Sequence, residues 1–250
     1  MQVVTIEFTV YNQVMQISRP HEWPVAGTQD AISLQRTLAG QVRRENHLES
    51  PDYVVGLDVS FDRKSHLGTA AAVVLNYPEL SLVEKQVVVG KVDFPYIPGL
   101  LSFREIPLTL EACERLTIAP GLVMVDGQGI AHPRRIGLAS HLGLFLDTPT
   151  IGCAKSPLTG KYDMPGESPG NYTEIRAEDG EVIGAALRTK KGSQPLIVSI
   201  GHKIDLESAI QWVLLCCRGY RLPEPTRLAH LASRGEFSGN MNAKELKSDV

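Results

Sequence analysis

Three carboxylates stand in stretches whose apolar character should exclude them. Asp58 lies at the centre of YVVGLDVSF (53–61), Asp126 closes the apolar run LVMV (122–125), and Glu105 falls near a helix start in GLLSFREIPL (99–108). A carboxylate taken out of water is costly unless a cation, a proton or hydrogen bonds compensate it. Taken singly, each has an ordinary reading. Asp126 before Gly127 suits a turn cap, Asp58 a satisfied core residue, and Glu105 an exposed helix glutamate paired with Arg104. Taken together they repel one another, and each then requires a cation or a proton. Such a cluster offers only oxygen ligands, which suits Mg²⁺ or Mn²⁺, whereas zinc would call for histidine and cysteine. A hard cation so held organises in-line attack of water on a phosphodiester. His230 in PEPTRLAH (223–230) is a candidate proton carrier or outer ligand, although a lone helix histidine is more often structural.

FPYIPG (94–99) carries a different signal. Pro95 and Pro98 fix φ on either side of Tyr96 and Ile97, making a stiff loop that presents an aromatic ring. Such a ring can push into a base stack, or it can pack on the core.

The 250 residues are 43% hydrophobic and 21% charged, enough for one domain with a sizeable core. The net charge of −3 does not advertise a nucleic-acid partner, but its distribution is uneven. Residues 1–130 hold 10 Lys+Arg against 15 Asp+Glu, and residues 131–250 hold 15 against 13. Arg188, Lys190, Lys191 and Lys203 form a local basic stripe, suited to phosphates or simply solvated. No apolar run reaches the ~20 residues of a membrane span, and the N-terminus does not read as a signal peptide. Cys113, Cys153, Cys216 and Cys217 lack metal-ligand spacing and read as reduced, packed thiols of a cytoplasmic protein.

The elements that must position these groups follow from periodicity. Residues 29–49 carry Ile32, Leu34, Leu38 and Val42 at amphipathic spacing, which predicts a helix. YVVGLDVSF, TAAAVVLNY (69–77) and LSLVEKQVVVGKV (80–92) predict an antiparallel meander. A helix around 102–117 and the LVMV strand follow. Pro133 is placed to open another helix, with Ile136, Ala139, Leu142 and Leu146 facing inward. TPTIGCA (148–154), EVIGAALRT (181–189) and PLIVSI (195–200) read as strands, 205–218 as a helix capped by Asp205, and Pro225 starts a last helix. The fold class is α/β, a mixed sheet in which a meander precedes alternating α and β, covered by helices. The expected division is an extension at 1–28, where Val4, Ile6, Phe8 and Val10 alternate as in an extra strand, a domain at 29–234 and a flexible tail at 235–250.

GLDVSF, FPYIPGLLSFRE, DGQGIAHPRRIGLASHLGL, IGCAKSPL and EPTRLAH occur in that order. Together they resemble the endonuclease V family of deoxyinosine-specific repair nucleases over about residues 29–232. The resemblance implies a ribonuclease-H-like fold, with Asp58, Glu105 and Asp126 as metal-binding acids, His230 as a catalytic histidine and Lys155 close to the phosphate. It implies that Tyr96, within Pro95–Pro98, is the wedge filling the gap left by an extruded base. Gly99, Leu101, His132 and Gly137 would surround hypoxanthine. The implied activity is Mg²⁺-dependent hydrolysis, with Mn²⁺ as a substitute, of the second phosphodiester 3′ to deoxyinosine in damaged DNA; a monomer is expected. An inosine-specific endoribonuclease or a junction resolvase of the same fold stays open. A non-catalytic nucleic-acid binder would be expected to have lost at least one of the acids.

Overall fold

The structure is a computed structural model that describes residues 17–62 and 65–237. The strand expected around Val4–Val10 lies outside the described residues. Among these residues eight strands form one sheet: β1 (Tyr53–Asp62), β2 (Leu67–Asn76), β3 (Leu82–Lys91), β4 (Leu122–Val125), β5 (Thr150–Ala154), β6 (Tyr172–Arg176), β7 (Val182–Leu187) and β8 (Leu196–His202). Their order across the sheet is β3-β2-β1-β4-β5-β8-β7-β6. The β1–β2–β3 meander is antiparallel, β4 pairs parallel with β1 and with β5, and the remaining pairs are antiparallel.

Among the described residues five helices cover the sheet: α1 (Thr28–Ala39), α2 (Leu101–Glu114), α3 (Leu138–Leu146), α4 (Leu206–Leu215) and α5 (Glu224–Ser233). The two-residue period of the strands sorts the core into two layers. Val55, Leu57, Val123 and Val125 pack with Ile106 of α2 and Leu142 of α3 on one face. Val54, Leu122 and Met124 pack with Ala209 of α4 and Leu228 of α5 on the other. Gly56 makes the second layer close. A Cβ added there would lie 1.8 Å from the Pro225 carbonyl oxygen, so only glycine lets α5 lie directly on β1.

Several expectations need correction. The helix expected over 29–49 ends at Ala39, because Gly40 closes it and the chain then runs along β8, where Lys203 N–H donates to Arg43 O. The helix expected from Pro133 begins only at Leu138. Residues 132–135 form a turn instead, with Arg135 at φ 58° donating its N–H to His132 O. The helix expected over 205–218 stops at Leu215, with the Asp205 cap accepting from Ser208 N–H as anticipated. Strand β6 carries no strand signal in the sequence: at this edge only Ile175 is fully buried, so the segment lacks an apolar alternation. Outside the expected 29–234 domain, Ile17 and Trp23 pack on the α2–α3 layer and Phe237 is buried.

Candidate active site

The register of β1 and β4 builds the centre of the site. Leu57 pairs with Val125 in parallel, and the Asp126 amide donates to the Leu57 carbonyl at 3.0 Å. Asp58 and Asp126 therefore follow one another across neighbouring strands, on the face that α5 covers. From α5, His230 Nδ1 lies 3.1 Å from Asp58 Oδ2 and Ser233 Oγ donates to the same oxygen at 2.6 Å. One ligand atom from each of Asp58, Asp126 and His230 lies within 4.8 Å of the other two. Glu105 comes from α2 on the opposite face and is buried, so it is not the exposed partner of Arg104. Arg104 instead donates to Phe94 O at 2.8 Å and lies over the Phe61 ring. Glu105 stands outside the group of Asp58, Asp126 and His230 that lies within 4.8 Å, yet it is close enough to feel the charges of both aspartates.

The three carboxylates act on one another electrostatically. Burial pushes the Glu105 carboxyl well above its ordinary value, and the charges of Asp58 and Asp126 push it further. Burial and the Asp58 charge likewise raise Asp126 against the pull of Lys155, whose Nζ lies 2.5 Å from Asp126 Oδ2. Burial would also raise Asp58, but hydrogen bonds from His230 and Ser233 outweigh it and hold that carboxyl below its usual range. Buried, mutually repelling oxygen donors with a histidine at the edge fit a hard divalent cation.

Beside the acids opens a cavity of about 260 Å³. Tyr96, Ile97, Pro98, Gly99, Leu101, His132 and Gly137 line it, together with Asp126 and Lys155. Tyr96 stands 71% exposed. Pro95 faces away and lines a neighbouring cavity with Trp23 and Arg104. Gly99 sits at φ +79°, a left-handed conformation. Its carbonyl accepts from Gln35 Nε2 (3.0 Å), His132 Nε2 (2.9 Å) and Arg134 Nη2 (2.7 Å), which fixes the loop from three sides.

Four supporting residues escaped the sequence reading. Ser233 was legible in principle, one helical turn after His230 on the same face. Arg221 Nη2 donates to Lys155 O at 2.5 Å, and Gln128 Nε2 donates to Ser156 O at 2.8 Å, so both hold the strand end that carries Lys155. Gln35, on α1, offered no local sign of reaching Gly99. The basic stripe dissolves as a unit. Arg188 is buried and donates to Gly166 and Pro165 carbonyls, and Lys203 pairs with Asp147 at 2.6 Å.

Acids just past the end of the parallel β1–β4 pairing, a lysine against one of them and a base-sized cavity alongside define a phosphodiester-cutting class of α/β enzyme. Residues 36–231 match the family model of endonuclease V, and the chain belongs to that family; it is a nuclease, a hydrolase. It is 51% identical to an endonuclease V of Dehalococcoides mccartyi over 219 residues, covering 88% of this chain and 97% of that protein. The crystal structure of endonuclease V from Streptomyces avermitilis superposes with a TM-score of 0.81 at 43% identity, covering 89% of this chain and 97% of the other. Endonuclease V of Ciona intestinalis, solved with a 24mer DNA containing an inosine followed by a ribo-adenosine, gives 0.73 at 32% identity over 83% of this chain and 96% of the other. The ribonuclease-H-like mixed sheet is the fold these relatives share.

Proposed function

We propose that this chain recognises deoxyinosine in DNA and hydrolyses the second phosphodiester 3′ to it, leaving 3′-hydroxyl and 5′-phosphate ends, as a cytoplasmic repair nuclease. One observation carries the reading: a single cavity of base-admitting size joins the Tyr96–Leu101 loop to Asp126 and Lys155. The inosine-containing DNA bound by the Ciona relative supports the same substrate class.

Asp58 and Asp126, with Glu105 behind them, are the residues that would hold Mg²⁺, or Mn²⁺ in its place. A cation bound there would supply positive charge against the phosphate and the oxygen of the attacking water. Ser233 and His230 fix the Asp58 carboxylate in one orientation through their hydrogen bonds. The half-exposed His230 ring keeps its second nitrogen available to carry a proton to the departing 3′-oxygen. Lys155 places its ammonium beside Asp126, where it meets a phosphate oxygen arriving at the cavity mouth. Tyr96, on its stiff loop, occupies the space vacated when the base leaves the stack. Extrusion is cheapest for a poorly paired base, which favours the deaminated one.

The test is cleavage of a duplex with one deoxyinosine, in Mg²⁺ and in EDTA, with the cut mapped at nucleotide resolution. A metal-dependent nick one bond beyond the 3′ neighbour of the lesion supports the reading, and a nick elsewhere or in EDTA contradicts it. A matched inosine RNA run in parallel decides between DNA and RNA as the preferred substrate.

A further inference from the structure

Residues 17–27 precede the matched family region and pack over α2 and α3. The His21 ring lies against those of Trp23, Phe103, His141 and Phe145, with centroids 4.6–6.2 Å apart. His141 is completely buried and is bonded at both ring nitrogens. Its Nε2 lies 2.9 Å from His21 Nε2, and its Nδ1 lies 3.0 Å from Ser102 Oγ. His21 Nδ1 in turn lies 2.9 Å from the Glu22 carbonyl oxygen.

These partners fix every hydrogen in the chain. A carbonyl oxygen only accepts, so His21 Nδ1 carries the hydrogen, and in the neutral ring Nε2 is left with a lone pair. Burial lowers the pKa of His21 and takes that of His141 down to about 3, so both rings are neutral at pH 7. His141 Nε2 must then donate to His21, which leaves His141 Nδ1 as an acceptor. Ser102 Oγ–H donates to it. Ser102 lines the cavity proposed for the base. With its hydrogen committed to His141, its oxygen offers that cavity only lone pairs.

We propose that the His21–His141–Ser102 chain makes Ser102 an obligate acceptor that reads the ring N1–H of a 6-oxopurine, so that the N-terminal segment sets base discrimination. This rests on the deoxyinosine reading above. Hypoxanthine presents N1–H, whereas adenine and unsubstituted purine present a lone pair at N1. An acceptor facing a lone pair leaves both without a hydrogen bond, and a buried site rejects such a ligand strongly. Ser102 touches the base; His141 and His21 are positioning residues acting through it.

The experiment compares kcat/KM of the full chain on duplexes carrying deoxyinosine or the purine deoxyriboside, which lacks both O6 and N1–H. Loss of O6 costs wild type and variants alike and cancels when their preferences are compared. Ser102→Ala and His21→Ala should each narrow the preference for deoxyinosine about five- to tenfold, the worth of one neutral hydrogen bond. His21→Gln, whose side-chain carbonyl can accept from His141 Nε2–H, should restore it. If His21→Ala slows both substrates equally, the segment is only a packing element and the proposal fails. An unchanged preference in Ser102→Ala also overturns it. A wild-type protein that leaves the deoxyinosine duplex intact overturns the substrate reading itself and this inference with it.

Discussion

Asp58 and Asp126 are neighbours across two parallel strands, and the bond from the Asp126 amide to the Leu57 carbonyl sets that adjacency. Two acids 68 positions apart in sequence are thus joined by backbone register before any side chain is considered. Replacing either by asparagine keeps the shape and removes a negative charge. Asp58→Asn and Asp126→Asn should each lower the cleavage rate at saturating Mg²⁺ by about a thousandfold, ~4 kcal/mol of barrier. Near-normal turnover in either variant would show that the carboxylates are not the metal site.

Asp126→Asn should also melt higher than wild type when divalent ions are chelated, because it relieves repulsion with Asp58 and Glu105. A gain of about 1 kcal/mol corresponds to roughly 2–4 °C in a domain of this size. A lower melting temperature in EDTA would mean that the Lys155 ion pair outweighs the repulsion.

The packing of α5 on β1 is as important as the acids. Gly56→Ala places a methyl group against the Pro225 carbonyl and must lift α5. A loss of about 1–3 kcal/mol or more is expected, together with a raised Mg²⁺ requirement as His230 and Ser233 withdraw from Asp58. Ser233→Ala should raise the Mg²⁺ requirement without comparable loss of stability, and urea midpoints beside metal titrations separate the two effects.

These dependencies show what the sequence could and could not convey. The apolar runs around Asp58 and Asp126 are strand signals, and the meander is readable because its turns are short. The ladder that brings β4 beside β1 is non-local and leaves no periodic trace. Helix starts fared worst where a proline allowed two outcomes: Pro133 opens a turn, whereas Pro225 does open α5. The cavity residues were reachable only through family resemblance, since neither Gly99 nor Gly137 reveals a binding role by type. Ser233, Arg221 and Gln128 act through hydrogen bonds to partners distant in sequence, which spacing along the chain does not encode.

Tyr96 contributes little to the fold in so exposed a position. Tyr96→Ala should leave the urea midpoint within about 0.5 kcal/mol of wild type. Its affinity for an inosine-containing duplex should fall by ~1–3 kcal/mol through lost stacking. Equal affinity in a fluorescence-anisotropy titration would remove the wedge role.

Acid should destabilise the protein through His202, whose pKa burial lowers from 6.5 to about 4. The unfolded chain binds this proton first as pH falls below 6.5, so stability is complete above that value and drains away towards pH 4. Between pH 7 and 5 the loss from this group is of order 1–2 kcal/mol. His202→Gln should therefore lose less stability than wild type across that interval in urea melts. Parallel curves for the two proteins would show that the ring is not held neutral.

The most direct test of the central claim locates a divalent ion. Crystals soaked in Mn²⁺ should give one or more anomalous peaks at the carboxylates of Asp58 and Asp126, absent from Asp126→Asn crystals treated identically. Peaks confined to other surfaces, with none between these two side chains, would contradict the account.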